Sequence, residues 1–375
     1  MRLMLAPMEG VIDHTMRELL TSLGGVDRCV TEFVRVSGQL LPARVFKRYC
    51  PELEQGGTTL GGVPVYLQLL GGQAAVMADN ASRAAELGAP GIDINFGCPA
   101  KTVNRSDGGA VILREPERVY AITAAVRAAV PATTPVTVKT RLGYDDQQRF
   151  LDIARAVETA GASELTIHAR TKRHGYRPPA YWEEIARARE VVTLPLIANG
   201  EIWNPQDALR CLQVTGCQDL MLGRGALCRP DLPRLVKATL AGAQPAPLSW
   251  AGLLPLVLRF YELNLDRYEA RYAPNPLKQW LVYLRGYYLD AAPLFERVKR
   301  LRDPEQVLQV LRETCADSQT LAARRRSTPR PKSQASRLTV ASPPSGSNDQ
   351  DDPEGEAPSR NSQSRLGDTA APARA

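Results

Sequence analysis

The chain is poor in the residues that build metal sites and covalent frameworks. It has three histidines in 375 residues, and its seven cysteines stand apart at 29, 50, 98, 211, 217, 228 and 315, with no C-x-x-C pair among them. An odd number of scattered thiols argues against a disulfide framework and against structural zinc; reduced thiols in the cytoplasm fit better. No run of about 18 apolar residues occurs, so no membrane span is predicted. The apolar start Leu3–Met8 is short and Glu9 follows at once, which is unlike a secretory signal. No G-x-G-x-x-G follows the first predicted strand, which weakens a dinucleotide-binding doubly wound sheet. From Asp317 to Ala375 the composition falls to Ser, Pro, Arg, Ala, Gly, Gln and acids, with no aromatic residue or cysteine. A disordered tail is predicted over 317–375.

What remains is enough for a large core, since 44% of the residues are hydrophobic. The net charge of +7 is compatible with a nucleic-acid partner without establishing one. Strand-like and helix-like segments alternate eight times over the first part of the chain. The strands are predicted at Leu3–Met8, Cys29–Val36, Val63–Leu70, Gly91–Asn95, Val136–Leu142, Glu164–Ala169, Leu194–Ala198 and Asp219–Leu222. Eight such units predict an α/β fold, a (β/α)8 TIM barrel over 1–243. After Pro245 and Pro247 the pattern turns helical, predicting a small all-α bundle over 249–316. That segment carries the clear basic cluster Arg297, Lys299, Arg300 and Arg302.

Several predicted strands end in polar or glycine residues, and a barrel gathers such ends at its C-terminal rim. Gly91–Thr102, GIDINFGCPAKT, opens as an alternating strand, breaks at Gly97 and delivers the thiol of Cys98 into a loop. Asn199-Gly200-Glu201 and Gly223-Arg224-Gly225 follow the seventh and eighth strands, where barrels commonly bind phosphate through closely approaching backbone N–H groups. Lys139 and His168 end the fifth and sixth strands. A lysine inside a parallel strand is costly to bury without a partner, and an anionic, electron-accepting ring is one such partner. With Gln68 on the ring edge, the set suggests flavin mononucleotide (FMN) across the barrel mouth. A thiol opposite such a ring suits proton delivery to C5 of a uracil that takes hydride at C6.

The motifs A-P-M-E-G at 6–10, D-I-N-F-G-C-P-A-K-T-V-N at 93–104, V-K-T-R-L-G at 138–143, H-A-R-T at 168–171, I-A-N-G-E-I at 197–202 and L-G-R-G-A at 222–226 resemble the tRNA-dihydrouridine synthase family. The resemblance implies an FMN-bearing barrel with a helical domain that reduces tRNA uridines with NADPH as reductant. It implies that Cys98 is the general acid. It places the FMN contacts at Pro7, Met8, Glu9, Gln68, Lys139, His168, Asn199, Gly200, Glu201, Gly223 and Arg224. T-E-F-V-R-V at 31–36, G-E-I-W at 200–203 and L-K-Q-W-L-V-Y-L-R at 277–285 are similar to the bacterial C-type subfamily, which acts on uridine 16 of the D-loop. This likeness implies that tRNA is held by Arg35, Asn95, Tyr176, Lys278 and Lys299, with Pro276 where the subfamily has an arginine. The expectation is a monomeric cytoplasmic enzyme. Two other readings stay open: an FMN barrel acting on a free pyrimidine, and a tRNA-binding protein without catalysis.

Overall fold

The structure, a computed structural model, describes residues 1–327, and Met1–Ser327 forms one compact unit. Nine strands are present: β1 (Leu3–Leu5), β2 (Arg28–Val30), β3 (Val34–Arg35), β4 (Val65–Leu70), β5 (Ile92–Asn95), β6 (Val136–Arg141), β7 (Glu164–His168), β8 (Leu196–Asn199) and β9 (Asp219–Leu222). All pairings between these strands are parallel, and β1 pairs with both β2 and β9 while β2 also pairs with β4. Eight strands thus close into a ring, the predicted (β/α)8 barrel. The predicted second strand, Cys29–Val36, is divided: β3 lies on the later part of β4, and Thr31–Phe33 between them leave the ladder.

Alternation along the strands sorts the side chains. Outward residues such as Leu67, Ile92, Ile94, Val136, Val138, Leu165 and Ile167 are fully buried against the surrounding helices. Inward residues form layers. At the N-terminal end, Glu164 bridges Arg28 at 2.5 Å and Arg2 at 2.6 Å. Above this lies a small apolar plug of Met4, Ala6, Val30, Ile197 and Met221. Above the plug the inward residues turn polar. Register sets Gln68 beside Asp93, Asp93 beside Thr137, Asn95 beside Lys139, and His168 beside Asn199.

The barrel helices end at Leu240, and helices Trp250–Arg267, Pro274–Leu284, Ala291–Val298 and Pro304–Ser327 follow. The second of these helices starts at Pro274, because proline fits the first turn, where its missing N–H has no helical acceptor. The first part of the tail expected from 317 is helical, since the last helix runs on through Ser327. Its packed face, Val307 and Leu311, is fully buried, and Gln, Leu, Ala and Arg then propagate the helix. The rest of the predicted tail, 328–375, lies outside the described residues.

The helical segment docks on the barrel through polar anchors. Trp280 Nε1 donates to Leu227 O at 3.1 Å and Tyr288 Oη to Leu248 O at 3.1 Å. Asp13 joins the two parts: one carboxylate oxygen caps the helix His14–Ser22 at Met16 N, 2.9 Å, and the other accepts from Tyr268 Oη at 3.0 Å and pairs with Arg267 at 3.1 Å. Asp13→Ala removes the cap and both anchors, and should cost about 1–2 kcal/mol, read as a lower urea midpoint at unchanged m-value.

Candidate active site

A cavity of 490 Å3 opens at the C-terminal mouth of the barrel. It gathers the predicted cofactor positions from six strands: Pro7, Met8 and Glu9 after β1, Gln68 on β4, Lys139 on β6, His168 on β7, Asn199, Gly200 and Glu201 at β8, and Gly223 and Arg224 after β9. Asn95, Cys98 and Tyr176 line the same space. Convergence of strand ends brings together residues more than 200 positions apart in sequence.

Cys98 lies on the loop between β5 and the short helix Lys101–Arg105 and is partly exposed. Its backbone is fixed from several sides. Asn95 Oδ1 accepts from Gly97 N and Cys98 N, each at 2.9 Å, and Asn104 Nδ2 donates to Cys98 O at 2.9 Å. Burial raises the thiol above its ordinary range; Glu9 adds to this, while Arg141 and Arg35 oppose it. The sulfur is therefore a protonated acid at neutral pH. Gly109, with φ +67°, allows the neighbouring chain to pass against this loop, where an added Cβ would stand 2.9 Å from Cys98 O.

The strands that follow β5 bring cationic and imidazole groups to the same rim. Lys139 Nζ donates to Asn199 Oδ1 at 3.0 Å, and burial lowers its pKa to about 8. His168 is held well below the usual imidazole range, by burial first and then by Arg141, Lys139, Arg170 and Arg224. It is neutral, and its buried Nδ1 has no partner. Glu201, in a left-handed conformation with φ +56°, accepts from Trp203 Nε1 at 3.1 Å and pairs with Arg170 at 2.7 Å and Arg224 at 3.1 Å. Its carboxylate thus holds both Arg170 and, at the cavity lining, Arg224. The guanidinium of Arg224 lies 5.0 Å from both the Tyr176 and Trp203 ring centres. At the mouth, Glu9 is open to solvent on one side, yet partial burial and Glu32 push its carboxyl up to about 7.

The sequence reading did not select several residues of this site. Arg141 is buried, and its Nε donates to Gly97 O at 2.8 Å while Nη1 reaches Thr171 O at 3.2 Å and Gly175 O at 3.0 Å. It also lies 5.1 Å from the Tyr176 ring centre. One guanidinium therefore ties the Cys98 loop to the loop carrying Tyr176. A signal was available, because period-two alternation sets Arg141 on the same strand face as Lys139. Phe33, Trp203 and Tyr283 also line the cavity. Tyr283 comes from the helix Pro274–Leu284, and no local pattern connects that helix to the barrel mouth.

Three predicted tRNA positions lie away from the cavity lining. Arg35 is exposed at the end of β3, with Nη2 3.5 Å from Thr102 O beside the Cys98 loop. Lys278 and Lys299 belong to a second cavity, of 680 Å3, with Arg271, Tyr272, Pro274, Asn275, Arg300 and Arg302. Lys278 Nζ donates to Leu301 O at 2.6 Å and Lys299 pairs with Glu296, whereas Arg300 and Arg302 form no ion pair among the described residues. Arg297, from the same basic cluster, is engaged with Glu313 and Thr314. Among the described residues no group of His, Cys, Asp and Glu is arranged to hold a metal, and no helix is long and apolar enough to cross a membrane.

The chain is 50% identical to the tRNA-dihydrouridine(16) synthase of Aquipseudomonas alcaligenes over 311 residues, 83% of this chain and 99% of the relative. It is 51% identical to the protein of that name from Shewanella oneidensis, over 84% of this chain and 98% of the relative. A solved structure of 2-naphthoyl-CoA reductase with 2-naphthoyl-CoA superposes with a TM-score of 0.50 at 11% identity, covering 64% of this chain and 50% of that one, a likeness of fold alone. The family model for dihydrouridine synthase matches residues 4–320, and the chain belongs to that family.

Proposed function

We propose that this protein reduces uridine to dihydrouridine in tRNA, at position 16 of the D-loop, using FMN and NADPH. The observation that carries the reading is one cavity lined by a protonated thiol, by Lys139 and Arg224, and by a histidine whose buried Nδ1 is unpartnered. That donor set fits an anionic flavin. Lys139, Gln68 and His168 would hold its ring. Arg224 and Gly223, with Asn199 and Gly200, would hold its phosphate, while Pro7, Met8 and Glu9 would flank it. When bound, FMN supplies the hydride for C6 of the uracil.

The chain's own residues do the rest. Cys98 gives its proton to C5 and is reprotonated from solvent, so NADPH and one proton are consumed for each uridine reduced. Asn95 and Tyr176 line the cavity, and an amide and an aromatic ring both suit contact with an extruded base. The base must leave its stack, because neither face of a stacked uracil can reach the flavin and the thiol together. Arg35 and the basic pocket around Lys278, Lys299, Arg300 and Arg302 suit tRNA phosphates. The identity to relatives of that name over nearly their whole length supports uridine 16.

Mass spectrometry of nuclease fragments of tRNA from cells lacking the protein tests this: dihydrouridine should vanish at position 16 alone. Persistence of that nucleotide would refute the position, and an unchanged total would refute the reaction. Charge reversal at Arg300 and Arg302 together should raise KM for tRNA by about tenfold and reduce the slope of log affinity against log salt by about 2. The kcat should stay within about twofold, because neither residue touches the barrel mouth.

A further inference from the structure

Below the cavity floor, Asp93 is almost fully buried at 1% exposure, and the proposed chemistry does not use it. It lies on the inward face of β5, two residues before Asn95. Gln68 Nε2 donates to one of its oxygens at 2.6 Å and Thr137 Oγ1 to the other at 2.5 Å. Gln68 Oε1 accepts from Asn95 Nδ2 at 2.8 Å, and Asn95 Oδ1 accepts from the N–H groups of Gly97 and Cys98. A continuous chain of hydrogen bonds therefore runs from a buried carboxylate, through two side-chain amides, to the backbone of the loop that carries the thiol.

The direction of this chain is fixed at both ends. Backbone N–H groups only donate, so the oxygen of Asn95 must face the loop and its nitrogen must face Gln68. Gln68 must then turn its oxygen to Asn95 and its nitrogen away, toward a group that accepts. An ionised carboxylate is acceptor-only and satisfies that need without an alternative orientation; burial raises the Asp93 pKa, and the donors Gln68 and Thr137 with the charges of Arg28 and Lys139 favour the ionised form against it. Gln68 is fully buried and Asn95 is 7% exposed, so water cannot readily substitute for a missing partner. Both amides line the cavity, and their outward hydrogens are donors because their other atoms are committed in this way.

Building on the proposed function, we infer that Asp93 is a positioning residue that sets the direction of the Gln68–Asn95 chain, and through it holds the Cys98 loop and the donor face presented to the base. Without the acceptor, Gln68 is free to reverse its amide. Asn95 then meets a donor where it had an acceptor, and its grip on the Gly97 and Cys98 N–H groups is lost. Asparagine at position 93 keeps an oxygen for Gln68 and an NH2 that Thr137 Oγ1 accepts, so the direction survives without the charge.

The test uses the flavin-loaded full chain with Asp93→Asn, Asp93→Ala and Asp93→Leu. The leucine variant fills the volume if the alanine variant does not fold. Alanine or leucine should lower kcat for uridine reduction by about 10- to 100-fold while KM for tRNA moves less than about threefold; asparagine should stay within about fivefold of the parent. In the same samples without tRNA, alkylation of Cys98 by iodoacetamide should speed up by about fivefold or more in the alanine or leucine variant and remain at the parent rate in the asparagine variant. Equal loss in asparagine and leucine would overturn the inference, because charge rather than direction would then be the cause. Parental kcat and alkylation in the leucine variant would also overturn it. The alkylation arm needs no tRNA turnover, so a parent protein that does not reduce tRNA would defeat the functional reading while the loop-holding role is still decided.

Discussion

Replacing Cys98 by alanine is expected to lower single-turnover reduction of tRNA uridine by about 10^2- to 10^4-fold, the usual worth of a positioned general acid. Flavin content and thermal stability should be unchanged, because the thiol is partly exposed and its loop is held by backbone and amide contacts that do not involve sulfur. Reduction of unmodified tRNA by the chemically reduced enzyme, followed by mass spectrometry, provides the measurement. Near-parental turnover would remove the acid role. The pH dependence has a defined sign. Burial raises the thiol pKa, so the proton-bearing form persists through neutral pH. Activity limited by this group should fall only as the pH rises beyond the ordinary thiol range, and that limb should be absent in the alanine variant.

Lys139→Met is expected to separate function from stability. Reduction should fall by about 10^2-fold or more, as for loss of a preorganised charge at a site where negative charge develops, and flavin should be retained less tightly on gel filtration. The flavin-free protein should become more stable by about 1 kcal/mol at pH 7. Burial lowers the lysine pKa to about 8, so below that pH the folded chain carries the full cost of a desolvated charge. The cost fades as pH rises from about 8 through the ordinary lysine range near 10.4, because the unfolded chain loses its proton only there. The difference between variant and parent should shrink over that window. Loss of the donor to Asn199 Oδ1 offsets part of the gain. Denaturant titrations at pH 7 and pH 10 measure the effect, and a methionine variant less stable than the parent at both would contradict it.

The local patterns carried much of the fold. Alternation in Ile92–Asn95 and Val136–Arg141, punctuated by glycine and proline, marked strands whose outward residues are indeed buried. Helix ends were less legible. Pro274 and Pro276 both fall within the first turn of a helix that starts on the first of them. Beyond Asp317 a polar composition hid a helix that continues through Ser327, because residues such as Val307 and Leu311 had already fixed its first turns against its neighbours. In the site, residues with an unusual type for their position stood out, such as Lys139 in a strand or Cys98 after a glycine. Tyr283 and Trp203 are ordinary in their local context, so no chemical pattern marked them, whereas Arg141 shares a strand face with Lys139 and was legible from alternation.

Strand ends and their chemistry follow from the sequence because each is set by neighbours one to four residues away. How those ends meet follows from the sheet's parallel register, which sets Gln68 beside Asp93 and Asp93 beside Thr137. Hydrogen-bond direction, the engagement of Glu201 with Arg170 and Arg224, and the entry of Tyr283 from a helix more than a hundred residues after His168 depend on distances across the closed barrel. A residue's type limits what it can bond, but only the closed ring of strands determines which partner comes within about 3 Å of it.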